Sequence, residues 1–293
     1  MVKVLEFKKK NHEKESATVI KNPRVIFLIY LALTVAAILV VLPLLWLFFT
    51  SFKSRMDLAQ NTWGLPKVWE ISNYIIAWTG SKIPLYMWNS IRATFLSIVL
   101  TVVLATPVSY VLSRFKFKGK NLLYLFFIAG MMIPIHSTVI PIYTMVGNLK
   151  LNNSLEILSL VYGAFRIPVS IFILEGFMTS IPKELEECAV IDGCSTANIF
   201  FKVIVPLSKD GIVTISILTV LSSWNELLIS MLLISDPAKK TLPNGLMGFI
   251  TEYNSEYTQL AAGIMIAIIP TVLFYAFAQE KIEKGMIAGA VKG

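Results

Sequence analysis

Four residues carry side chains that are out of place in the apolar runs around them: Arg166, Trp224, Asn225 and Glu226. Ionisable groups at membrane depth are costly and usually face a partner helix or a water-filled path. An indole beside an amide and a carboxylate suits stacking on a sugar ring and bonding its hydroxyls. The same residues also suit a structural ion pair, a contact with a second subunit or tight packing between helices, and both kinds of reading stand on the residues alone. His136 follows Pro134, where a proline frees carbonyls, and reads as a hydrogen-bonded kink residue rather than a proton relay. Arg92 and Glu175 lie near the ends of apolar runs and read as snorkelling to the interface without a functional role. The two histidines, His12 and His136, are too far apart in sequence for the acid–base cluster of an enzyme. The chain also lacks a G-x4-G-K-[ST] phosphate loop, and Cys188 and Cys194 form no CxxC metal motif.

A second polar group lies between apolar runs. Ser180-Ile181-Pro182-Lys183-Glu184 reads as a helix start, with serine near the N-cap, proline in the first turn and acids at the positive end of the dipole. Gly193 ends that helix, and a second begins at Ser195, shows Ile199, Phe200 and Val203 on one side and stops at Pro206. The pair would project as a compact knob. An amphipathic loop resting on headgroups is the plain alternative. Glu184, Glu186, Glu187 and Asp192 would be repelled by an anionic leaflet, whereas a protein groove with basic and apolar groups accepts both faces, so a docking knob fits better.

The elements that must hold these groups are membrane helices. Hydrophobic residues make up 56% of the 293 and charged ones 15%, against roughly a quarter charged in ordinary soluble domains. Six runs approach the roughly 20 residues a helix needs to cross hydrocarbon. They lie at about 25–49, 88–112, 122–146, 157–178, 211–234 and 260–277, within a transmembrane domain of residues 24–280 that includes a polar loop, 180–209. Residues 1–23 form a polar segment before the first span and 281–293 a short tail. The fold class is all-α and polytopic, with the lipid bilayer as the main solvent. The stretch 51–86, with its tryptophans and prolines, shows no helical period and should lie along the headgroups. Ala261, Ala262, Gly263 and Ala267 in the sixth run allow close helix packing.

Alternate loops hold 17 Lys and Arg on the side of the termini and 7 on the other, which places both termini in the cytoplasm. The net charge of +8 is spread between apolar runs without a base-reading module, so it points to a membrane surface and not to nucleic acid.

Glu187-Cys188-Ala189, three residues, Gly193, nine residues, then Val203-Ile204-Val205-Pro206 resembles the EAA loop, E-A-A-x3-G-x9-I-x-L-P, of permease subunits in bacterial ABC importers. The context Ile181-Pro182-Lys183-Glu184-Leu185-Glu186-Glu187 and Ile191-Asp192-Gly193 is similar to the carbohydrate branch of that family. Cys188, Val203 and Val205 depart from the pattern but stay small or aliphatic. The likeness extends through Met132-Ile133-Pro134, Ile140-Pro141-Ile142-Tyr143, Pro168, Trp224-Asn225-Glu226 and the tail from Gly285 to Gly293, and is greatest to the smaller, six-span permease of maltose-type importers.

The resemblance implies a bacterial cytoplasmic-membrane permease that forms half of a sugar path. Its partners would be a second permease, two copies of an ATPase subunit and an extracytoplasmic sugar-binding protein. It implies no cofactor on this chain, with ATP and Mg on the ATPase, and coupling through Glu184, Glu187, Ala189, Asp192, Gly193, Phe200 and Pro206. The alternative is an ATP-independent secondary transporter or channel, which calls for paired acids or relay groups deep in the spans. These are scarce.

Overall fold

In the computed structural model, residues 23–250 and 256–290 are described, the side chains of 280–290 excepted. His12, most of the polar segment 1–23 and the side chains of the tail from Gly285 lie outside the described residues. Those described contain helices and no strand. The chain divides into two compact units, residues 1–70 and 71–293.

In the first unit, α1 (Pro23–Ser51) is apolar on all sides and almost wholly exposed, as a helix solvated by lipid should be. The segment after it is folded, where the sequence suggested an aperiodic stretch along the headgroups. Ser54 caps α2 (Arg55–Gln60) by accepting from Asp57 N at 3.1 Å, and Asp57 in turn accepts from Lys67 N at 3.0 Å. Phe52 and Trp69 meet with ring centroids 5.0 Å apart, and the Lys53 ammonium, 1% exposed, donates to the carbonyls of Asn61 and Thr62. The aromatic contact and these local hydrogen bonds take the place of a helical period.

The second unit holds the other spans. α3 (Ile83–Arg114) begins five residues before the expected run, because Pro84 sits in its first turn. A span expected over 122–146 is broken into α4 (Lys120–Met131) and α5 (Val139–Asn148), bent by 92° across Met132-Ile133-Pro134 and a 3-10 turn. His136 stands exposed in that turn, and the carbonyl of Ile135 is met by Thr138 Oγ1 at 2.7 Å. The carbonyl that Pro134 leaves without its helical donor, Gly130 O, is met by Ile133 N at 3.4 Å, so the backbone and not the imidazole serves the kink.

α6 (Leu155–Ser180) packs along α3 at a constant offset: Ser97 Oγ donates to Ser159 O at 3.0 Å, Thr101 Oγ1 to Gly163 O at 3.5 Å and Ser109 Oγ to Ile171 O at 3.4 Å. A fixed difference of 62 residues means the helices run parallel. The chain between them must therefore return across the bilayer, which makes the bent α4–α5 pair one crossing and not a re-entrant loop. Ala93, Ser97, Thr101, Ala105 and Ser109, four apart and all buried, form the seam that lets the backbones approach.

The polar loop forms α7 (Glu184–Ile191) and α8 (Thr196–Leu207), the latter passing through a π turn. α9 (Lys209–Trp224) follows. The span expected at 211–234 stops at Trp224, and after a break the chain resumes as α10 (Leu228–Leu233). The connection expected before the sixth run is also a packed element, α11 (Leu242–Leu246), with Leu242 and Asn244 buried. α12 (Tyr257–Ala290) runs about 51 Å at 1.5 Å per residue, so the expected span and residues 281–290 are one helix without a break. Gly263 lies against Leu246 and Ile83, and Ala261 and Ala262 are buried beside it, the close packing that their size suggested.

Candidate functional site

The knob is built as the sequence indicated at its centre and differently at its edges. Gly193, at φ +78°, takes the left-handed turn that closes α7, and its neighbour Cys194 N reaches back to Ala189 O at 2.9 Å. Ser195 caps α8, accepting from Asn198 N at 3.4 Å. Ser180, by contrast, is the last residue of α6 and not a cap, and α8 runs through Pro206 to Leu207. Proline is tolerated there because it lies in the first turn of the segment that follows the π turn.

The two faces of the knob differ. Ala189, Ile199 and Ile204 are buried with Tyr110 and Met178, and Phe200 sits on Tyr110 with centroids 5.1 Å apart. Ala189 and Phe200 therefore seat the knob on the membrane helices and do not face outward. The outer face carries Leu185, Val190, Phe201 and Ile191, the last 83% exposed, among exposed Glu184, Glu187, Asp192 and Cys188. Cys188 and Cys194 are free thiols.

Glu186 departs from the acidic rim. Its carboxylate forms an ion pair with Arg114 at the end of α3, the side chains being 16% and 6% exposed, and accepts from Tyr110 Oη at 3.4 Å. Arg114 Nη2 also donates to Ile181 O at 2.9 Å. The sequence places Arg114 in a basic turn and Glu186 in an acidic run, and only the fold reveals them as a pair.

The four residues first singled out do not converge. Arg166, Glu226, Tyr162, Ser222, Ser223 and Ile135 surround a small cavity of about 30 Å³. Trp224 and Asn225 face a separate apolar cavity of about 190 Å³, lined by Met87, Ile91, Pro270 and Phe274. The indole packs there against an apolar cluster, with Asn225 and Thr271 at the same cavity and Arg166 and Glu226 at the other.

Trp224-Asn225-Glu226 is the device that breaks the helix. Asn225 Nδ2 donates back to Leu221 O at 2.8 Å, closing α9, while the Glu226 carboxylate accepts from Ile229 N at 2.8 Å and Ser230 N at 3.1 Å, opening α10. Tyr162 Oη donates to the same carboxylate at 2.9 Å. Glu226 is thus committed, and no ion pair joins it to Arg166 among the described residues. Arg92 pairs with exposed Glu156 at 2.5 Å, and Glu175 accepts from Thr179 Oγ1 at 3.1 Å.

Two interrupted crossings, at Pro134 and at Asn225, thus meet Arg166 of an unbroken helix around one polar space, with the orphaned hydroxyl of Ser223 beside it. Broken helices whose ends line a cavity are the arrangement in which membrane proteins hold polar solutes. At about 30 Å³ the space is the size of a water molecule, and it gathers a guanidinium, a carboxylate and hydroxyl groups around one point. Among the described residues, no His, Cys, Asp and Glu cluster could hold a metal ion.

Residues 97–287 match the model of the family described as binding-protein-dependent transport system inner membrane component. The chain is similar to a putative ABC transporter permease of Caldicellulosiruptor, 40% identical over 94% of this chain and 99% of the relative. It is also similar to a diacetylchitobiose uptake system permease of Streptomyces coelicolor, 31% identical over 87% of this chain and 85% of the relative. Among solved structures, a chain of a bacterial ABC transporter involved in the import of the acidic polysaccharide alginate superposes with a TM-score of 0.78. It covers 89% of this chain and 97% of its own length at 22% identity, a likeness of fold.

Proposed function

We propose, from the premise that the chain belongs to the family of binding-protein-dependent transport system inner membrane components, that it forms half of the path for a sugar or oligosaccharide and takes its drive from an ATPase docked on the knob. As a member of that family it is a translocation subunit of an ABC importer, a multi-pass protein of the cell membrane that works with other transporter components. The choice of sugar as solute is supported by the names of relatives, which include permeases for diacetylchitobiose and for galactooligosaccharides. The complex contains a second permease, two ATPase copies and an external sugar-binding protein, with ATP and Mg on the ATPase and both termini of this chain in the cytoplasm.

The observation that carries the proposal is the two-faced knob. Its inner face is already buried, so the outer apolar residues, ringed by Glu184, Glu187 and Asp192, are left for a soluble groove with apolar and basic groups. Gly193 fixes the turn between the helices, and Ala189, Phe200 and Pro206 hold the shape. When the ATPase closes and opens, two such knobs move together and apart and the spans rock with them. Arg166, Ser222 and Ser223 offer this chain's contacts to the solute. The ATP-independent alternative gains no support from any relative.

The test is affinity purification of the tagged chain from mild detergent, followed by uptake of labelled sugars into vesicles rebuilt from what copurifies. An ATPase and a second permease in the eluate, with uptake that requires ATP inside, are expected. A chain that purifies alone and moves solute without ATP would overturn the reading.

A further inference from the structure

We propose that the Arg114–Glu186 ion pair is a latch that makes α3 the rod carrying the knob's motion to the opposite end of the molecule. This rests on the coupling role proposed above and adds to it the route and two positioning residues. At one end of α3, Arg114 is held by Glu186 of α7 and by Ile181 O, and Tyr110, a turn earlier, bonds Glu186 and stacks on Phe200 of α8. Nearly all of the pair is out of solvent, so removing one charge leaves the other buried and uncompensated. The knob is thereby fixed in direction as well as position.

At its other end α3 grips the segment before α12. Asn89 Nδ2 donates to the carbonyls of Ala238 and Lys240, both at 3.0 Å, and Ser90 Oγ accepts from Leu242 N at 2.8 Å. Tyr86 presses on Gly245 so closely that no Cβ could stand there. From Asn89 to Arg114 is about 38 Å of continuous helix, more than the hydrocarbon thickness, although Pro107 within it removes one backbone hydrogen bond. The segments on either side of α6 are interrupted, α4–α5 by a bend of 92° and α9–α10 by the stop at Trp224, whereas α3 is continuous and stiffened across Pro107 by its seam with α6. A displacement of Glu186 therefore reaches residues 238–242 without passing through a break.

Glu186→Gln keeps the shape of the side chain and removes its charge, and Glu186→Asp keeps the charge. The assembled transporter, in lipid discs, is digested with trypsin with and without a non-hydrolysable ATP analogue, and cleavage after Lys239 and Lys240 is followed. The wild type is expected to change its cleavage rate there by about tenfold on nucleotide binding, and Glu186→Gln to lose that change while keeping its ATPase and its hydrolysis, with Glu186→Asp recovering part of it. A nucleotide response that survives in Glu186→Gln overturns the latch. Loss of the ATPase from Glu186→Gln overturns it too, since the pair would then only seat the knob. A wild type that binds no ATPase would instead remove the coupling role itself.

Discussion

Ser97 donates its hydroxyl to the carbonyl of Ser159 at 3.0 Å, and one turn along Gly163 lies under Leu100 so closely that a Cβ there would stand 3.3 Å from the Leu100 Cβ. The two helices run parallel through this seam, which makes the α4–α5 segment between them the return crossing. Gly163→Leu should push them apart and cost about 1–3 kcal/mol, as overpacking does, while Gly163→Ala costs less. The melting temperature of the purified complex in detergent checks this, with both variants falling and leucine falling further.

Glu226 is read as a helix cap in addition to its place at the cavity. Tyr162→Phe removes one of three hydrogen bonds to the carboxylate and should cost about 0.5–1.5 kcal/mol, whereas Glu226→Ala strands the N–H groups of Ile229 and Ser230 and should cost about 1–3 kcal/mol. Thermal unfolding of the two variants should rank them in that order. Equal losses would mean that the cap contributes nothing.

Asn153 holds the connection that follows α10. At φ +59° its Oδ1 accepts from Ser235 N at 2.7 Å and Asp236 N at 2.8 Å. Asn153→Ala loses these bonds and a third from Ser235 Oγ at 3.2 Å and adds about 1–2 kcal/mol of left-handed strain, while Asn153→Gly loses the bonds alone. Trypsin cleavage at Lys239 should accelerate in both variants, more in the alanine one.

Arg166 stands at the cavity without an ion-pair partner among the described residues. Arg166→Gln should raise the KM for sugar uptake about tenfold or more while ATPase association is kept, because a charge-assisted hydrogen bond contributes about 1.5–3 kcal/mol. An unchanged KM with a lower amount of folded complex would place Arg166 at a subunit contact instead.

The knob was the most legible part of the sequence, since Gly193 and Ser195 act through local backbone rules that need no distant partner. The spans were legible as lengths of apolar chain, but their breaks were legible only in part. Pro134 announces its own kink, whereas the stop at Trp224 depends on Asn225 and Glu226 bonding in opposite directions along the backbone, which hydropathy does not register. The seam of Ala93, Ser97, Thr101, Ala105 and Ser109 is written at a four-residue period of small side chains, a signal available in the sequence and masked by the larger apolar residues between them. Arg114 and Glu186 are 72 residues apart, and each had a sufficient local explanation as a basic turn or an acidic helix start. The separation of Trp224 from Arg166 follows from their places on different faces of the helix packing, which no run of sequence specifies.

The central claim is that the outer face of the knob receives an ATPase, and Ile191→Asp tests it most directly, because Ile191 is the most exposed apolar residue of the knob and touches none of its buried core. Tagged wild-type and Ile191→Asp chains are purified in mild detergent and the ATPase and second permease retained by each are quantified. Loss of the ATPase from Ile191→Asp with the second permease retained is the predicted result. Equal retention of the ATPase by both chains would contradict the account.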